Sequence, residues 1–243
     1  MTPAVAATPD PLRSVVVTGV ARAGQVGAVI AQAFAEHGAR VSIVARSMAD
    51  ATTRAADMQS LGLDVHPFAC DLADPAATVA LARDVLAGAV RVDVLVNVAG
   101  GFAASGPIAE SDPAILAHQL SINLGTAYAT TRAFLPALRA SRGAVVFIAS
   151  AAALPAARVK NVSAYAIAKG GVITLMRAVA QEEHSNGVRA YTVAPGTIRT
   201  PENAARLPPD TRFVELASVV STIEFLCSPA AAQLTGQIVE LAP

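Results

Sequence analysis

Tyr165 and Lys169 lie four residues apart, in a chain that has only three tyrosines and two lysines beside sixteen arginines. On a helix this spacing stacks two side chains on one face. Residues 163–183 read as that helix, with Ser163 as its N-cap and apolar Ile167, Val172, Leu175 and Val179 along it. An ammonium beside a phenol favours the phenolate, so Tyr165 is expected to exchange a proton near neutral pH as a general acid or base. A solvated helix face can carry the same pair, so its meaning depends on what surrounds it.

The surrounding elements alternate between strand and helix. Residues 12–18 (LRSVVVT) form a β-branched run that stops at Gly19, and residues 24–36 repeat apolar positions at Val26, Val29, Ile30, Ala33 and Phe34. A second strand over 41–45 completes a βαβ unit with a right-handed crossover. Helices near 49–61 and 75–87 and strands near 64–69 and 92–96 continue the alternation, which is the pattern of a doubly wound parallel sheet in one α/β domain. A long helix over 115–140, kinked by Pro136, places Asn123 among apolar residues as a satisfied buried amide. Strands near 144–149 and 188–193 end at Ser150 and at Ala194-Pro195-Gly196, and a helix near 213–227 follows.

Ligands of such sheets bind at the carboxyl ends of the strands. Those ends carry Gly19 to Gly27, Arg46, Asp71-Leu72 and Asn97-Val98-Ala99-Gly100. Glycines let backbone approach a phosphate, and a helix N-terminus offers free N–H groups. The run GVARAGQVG departs from both G-x-G-x-x-G and T-G-x-x-x-G-x-G, so taken alone it is equally a strand-ending turn. The second strand ends in Ala45-Arg46, without the acid that selects a free ribose 2′-hydroxyl. Arg46, with Arg22 in the glycine loop, suits a 2′-phosphate and hence NADP(H), although a solvated strand-end charge is the plainer alternative.

Composition narrows the classes of function. The 243 residues carry zero formal net charge and scattered arginines, which gives no support to nucleic-acid or polybasic membrane binding. Cys70 and Cys227 and the four histidines lack ligand spacing, so no metal site or disulfide framework is expected. Residues 1–11 read as a loose tail without a signal-peptide start, and no uninterrupted apolar run approaches a membrane span. A cytoplasmic protein whose partners are small molecules or its own copies is expected.

Together, Thr18-Gly19 with Gly27, Asp71, Asn97-Val-Ala-Gly100, Asn123, Ser150, Tyr165-x-x-x-Lys169 and Pro195-Gly196 resemble the short-chain dehydrogenase/reductases over nearly the whole chain. The resemblance implies one Rossmann-type domain over 12–243 with about seven parallel strands, assembled as a homotetramer or dimer. It implies a catalytic set of Asn123, Ser150, Tyr165 and Lys169, with Asn123 keeping a water in a proton relay. It also implies a cofactor site for NADP(H). Gly19, Arg22, Gln25, Val26 and Gly27 would meet its pyrophosphate and adenosine side, and Arg46 the 2′-phosphate. Asp71 and Leu72 would meet the adenine, and Asn97, Ala99 and Gly100 the ribose region. Tyr165 and Lys169, with Pro195, Gly196, Ile198 and Thr200, would meet the nicotinamide side.

Three departures from the family pattern bear on activity. The glycine loop is two residues longer than the common form and matches enoyl-reductase members in length. The interval from Ser150 to Tyr165 is about two residues longer than usual, around residues 158–161. Only a short lid, about 197–212, follows Gly196. Because all four residue types of the catalytic set stand in matching positions, NADPH-dependent carbonyl reduction, reversible as alcohol oxidation, is the expected activity. Reduction of a quinonoid dihydropterin or an enoyl substrate is an alternative, and a catalytically inactive NADP(H)-binding sensor or scaffold is another.

Overall fold

The computed structural model describes residues 13–243; the tail expected over 1–11 and the first residue of the expected opening strand lie outside it. In chain order the elements are β1 (Ser14–Thr18), α1 (Val26–Glu36), β2 (Arg40–Ala45), α2 (Met48–Gln59), β3 (Val65–Ala69), α3 (Pro75–Gly88) and β4 (Val94–Asn97). There follow α4 (Pro113–Gln119), α5 (Thr126–Ser141), β5 (Ala144–Ile148), α6 (Ser163–Glu182), β6 (Arg189–Pro195), α7 (Pro201–Arg206), α8 (Leu216–Cys227) and β7 (Ile238–Leu241). The seven strands form one parallel sheet in the order β3-β2-β1-β4-β5-β6-β7. The order reverses between β1 and β4, which opens a crevice above their carboxyl ends.

Strand sequences without alternation reflect burial on both faces. Val15 and Val17 point into the layer formed with α1 and α8, through Ile30, Phe34, Val219 and Ile223. Val16 points the other way, into the layer formed with α3, α5 and α6, through Leu81, Phe134, Leu138 and Met176. Full burial of each such side chain stabilises by roughly 1.5–3 kcal/mol. Cys70 and Cys227 sit in these layers as free, buried thiols.

The expected helix over 115–140 is a composite. Between α4 and α5 the chain forms a π-helical turn, Leu120–Gly125, and α5 then continues through Pro136 to Ser141. Such widened turns re-aim side chains, and this one carries Asn123. Ser163 is the first residue of α6 rather than its N-cap; Val162 occupies the cap position, and the Ser163 hydroxyl pairs instead with that of Ser105 at 3.2 Å. The expected lid contains a helix, α7, that the sequence reading did not include; its Thr200 hydroxyl caps it by accepting from the Asn203 N–H at 3.2 Å. Among the described residues no helix is long and apolar enough to cross a membrane, and no group of three or more His, Cys, Asp or Glu could hold a metal ion.

Candidate active site

The β1–β4 crevice is fixed by one hydroxyl. Thr18 Oγ1 accepts from the N–H groups of Val98 and Ala99 at 3.0 and 3.1 Å, so the end of β1 is tied to the chain leaving β4. Gly19 turns there with φ +75°, and a Cβ on it would stand 2.9 Å from the Ala99 backbone. Only glycine fits that approach. Gly27 is equally constrained, because its Cβ would lie 2.6 Å from the Gly19 carbonyl oxygen.

A groove of about 560 Å³ runs over these turns. Gly19, Arg22, Gln25, Val26 and Gly27 form one wall, Arg46, Asp71 and Leu72 a second, and Ala99 and Gly100 the third. Helix α1 opens into it without a side-chain cap and without an acid in its first turn, leaving its first N–H groups for an anion. Asp50 is also in the groove, but its carboxylate accepts from the Ser47 hydroxyl at 2.8 Å. A dinucleotide fits this chemistry of free amides, glycine backbone and guanidinium.

Two expected cofactor contacts differ in the structure. Arg22 lines the groove, yet its guanidinium pairs with Glu202 of α7 at 2.7 Å, so a phosphate would have to compete for it. Asn97 lines none of the cavities described here. It is buried and donates through Nδ2 to Thr131 Oγ1 at 3.0 Å, since its side chain turns into the sheet–helix layer while the next residues turn out to the groove.

A second cavity, about 270 Å³, brings together Asn123 of the π-helical turn, Ser150 after β5, and Tyr165 and Lys169 of α6, with Pro195, Gly196, Ile198 and Thr200. Asn123 is almost fully buried, as the apolar run predicts. Its Nδ2 donates to the Gly101 carbonyl at 3.0 Å and to the Gln119 carbonyl at 3.1 Å, and its Oδ1 accepts from the Gly101 N–H at 3.2 Å. The amide therefore clamps the backbone after β4. Gly100 must lack a side chain, because a Cβ there would stand 2.4 Å from Asn123 Oδ1.

Lys169 is buried, and Nζ donates to the Ile148 carbonyl at 2.8 Å. Burial lowers its pKa to about 8. Its Nζ lies 5.9 Å from the centre of the Tyr165 ring, and Phe102 meets that ring edge-on at 5.1 Å. The sequence reading had Lys169 easing the ionisation of Tyr165; here burial dominates and pushes the phenol up, while the nearby Ser150 hydroxyl pulls the other way. The ammonium is drawn to the Ile148 carbonyl, and desolvation outweighs its attraction for a phenolate.

The third cavity, about 890 Å³, opens from Ser150 and Tyr165 between the 151–158 loop, α7 and β7. Leu154, Pro155, Leu207 and Ile238 give it apolar walls; Thr197, Asn203, Arg158 and Glu240 are its polar members beyond the centre. Of these residues, Arg158 was expected only as part of a longer loop. Glu202, Asn203, Gln119 and Glu240 were missed, because nothing local marks a lid or last-strand residue as facing a site formed by distant strands.

The comparisons agree with this architecture. A family model described as short chain dehydrogenase matches residues 13–210. Galactitol 2-dehydrogenase of Rhizobium johnstonii is 33% identical over 239 residues, covering 93% of this chain and 92% of its own. The solved 3-oxoacyl-(acyl-carrier protein) reductase of Brucella melitensis is 30% identical with a TM-score of 0.86, covering 96% of this chain and 91% of its own. A Beutenbergia cavernae structure, described as an NAD(P)-dependent gluconate 5-dehydrogenase with NADP bound at low occupancy, is 32% identical with a TM-score of 0.82 and 94% coverage of both chains. The parallel sheet, its crevice and these matches make the chain a member of the short-chain dehydrogenase/reductase family of oxidoreductases.

Proposed function

We propose that the protein is an NADPH-dependent reductase of ketones, reversible as an alcohol dehydrogenase, with Tyr165 as its general acid. The observation that carries this reading is the convergence of Ser150, Tyr165 and Lys169 on one cavity that adjoins the glycine-walled groove. The cofactor supplies a hydride to the carbonyl carbon. Tyr165, held neutral by burial, donates its proton to the carbonyl oxygen, so the ketone gains one hydride and one proton. The Ser150 hydroxyl polarises that oxygen as charge develops. Lys169, with one protein partner among the described residues, has N–H groups left for the nicotinamide ribose. Asn123 holds Gly100 and Gly101 in place as part of the cofactor wall. Arg46 makes no ion pair among the described residues and meets the 2′-phosphate.

Family relatives that act on sugar alcohols and on 3-oxoacyl chains support carbonyl–alcohol chemistry. The test is a panel of ketones, enoyl thioesters and dihydropterins assayed with NADPH and NADH. Ketone turnover with NADPH is expected; turnover confined to the last two classes would replace this reading with the enoyl or dihydropterin alternative, and cofactor binding without any turnover would favour a sensor.

A further inference from the structure

We propose that the substrate is an oxo carboxylic acid, and that Arg158 binds its carboxylate at the mouth of the substrate cavity; this rests on the reductase reading above. Arg158 is the one cation that lines the 890 Å³ cavity holding Ser150 and Tyr165. It makes no ion pair or hydrogen bond among the described residues, whereas Arg199 pairs with Glu215, and Arg22 and Arg206 share Glu202. Its segment is anchored. The Asn161 carbonyl accepts from the N–H groups of Ser105 and Gly106 at 2.8 and 3.1 Å, and Asn161 itself adopts φ +65°. The loop that lengthens the interval between Ser150 and Tyr165 thus has a defined path and brings Arg158 to the cavity.

The rest of the lining selects the form of the anion. Leu154, Pro155, Leu207 and Ile238 suit an aliphatic body between the reacting carbonyl and a charged end. Glu240, the acid of the cavity, is not within ion-pair distance of Arg158 and carries no partner among the described residues. It repels an anion from the β7 side and so orients the substrate with its charge toward Arg158. One guanidinium fork matches one planar carboxylate. A phosphate dianion would call for a second cation, and the cavity offers an acid instead.

The experiment compares methyl-ketone carboxylic acids of increasing length, from levulinate upward, with their methyl esters, in the presence of NADPH. At the best length the acid should exceed its ester at least tenfold in kcat/KM. Arg158→Met should erase that ratio by raising KM for the acid far more than for the ester, Arg158→Lys should keep part of it, and Glu240→Gln should lower KM for the acid. Equal use of acid and ester, a similar loss on both in Arg158→Met, or a preference for dihydroxyacetone phosphate would overturn the proposal. Hexanoate binding, measured by calorimetry on the cofactor-loaded protein, reads the same contact without turnover. Its dissociation constant should rise at least tenfold in Arg158→Met; no binding, or equal binding by both proteins, also overturns the carboxylate site. Failure of every carbonyl with hexanoate binding intact would overturn the reductase reading instead.

Discussion

The glycine-walled groove and the larger cavity are joined through the smaller cavity that holds Tyr165, yet they are built by opposite means. The groove is backbone and strand ends: Thr18 ties two strands, Gly19 and Gly27 allow chains to touch, and an uncapped helix supplies amides. The cavity is loop side chains: an alanine-rich segment, a six-residue helix and the last strand. A backbone-built site tolerates no added Cβ, whereas a side-chain-built site can be re-cut residue by residue without disturbing the sheet. That difference explains how relatives with this fold carry names as unlike as galactitol 2-dehydrogenase and 3-oxoacyl reductase.

The sharpest break in this comparison is expected at the residue that stands between the two regions. Tyr165→Phe should reduce turnover about 10²–10⁴-fold while NADPH titration gives an unchanged dissociation constant, separating chemistry from the groove. If both fall together, the two regions are not independent.

Next comes Lys169→Met, which should abolish turnover and yet stabilise the fold at neutral pH. The lysine's folded pKa of about 8 lies below its unfolded value of 10.5, so the unfolded chain binds more protons between those values. Its charge therefore opposes folding fully below about pH 8, and that cost fades as the pH rises toward 10.5. The ceiling of the gain is roughly 3 kcal/mol at pH 7, less about 1 kcal/mol for the lost bond to Ile148. Urea unfolding at pH 7 and pH 10 should show the advantage shrinking with pH; a Met variant that is less stable at pH 7 contradicts a buried ammonium.

Arg46→Ala should lower the preference for NADPH over NADH by about tenfold, the scale of one charge-assisted contact, with Tm in the absence of cofactor unchanged. An unaltered ratio would remove Arg46 from the 2′-phosphate.

The smallest effect belongs to the ion pair between Arg22 of the groove and Glu202 of α7. Such an exposed pair contributes about 0–1 kcal/mol to stability. Glu202→Gln should leave Tm within a degree or so, yet tighten NADPH several-fold by freeing Arg22 for phosphate. Unchanged affinity would mean that Arg22 never reaches the cofactor.

How far the site could be read in advance follows the same division. Tyr165 and Lys169 share a helix face and Gly19 stops a strand, so local periodicity exposed them, whereas Asn123 read only as a buried amide until the family resemblance implied a role for it. The π-helical turn at Asn123 was not legible, because a single-turn widening leaves no periodic trace over so few residues. Neither was the balance at Tyr165, where i, i+4 spacing predicts an attraction but only burial reveals the larger desolvation.

The sequence by itself determined the alternating strands and helices, the two-sided burial of the sheet and the residue types at its carboxyl edge, since these depend on short-range pattern and on chain order. Tertiary structure alone decided that Arg22 is claimed by Glu202, that Asn97 faces inward, and that Arg158 and Glu240 open onto one cavity. Those outcomes depend on where segments dozens of residues apart come to rest, and electrostatics and desolvation act through that separation in space, which sequence spacing does not encode.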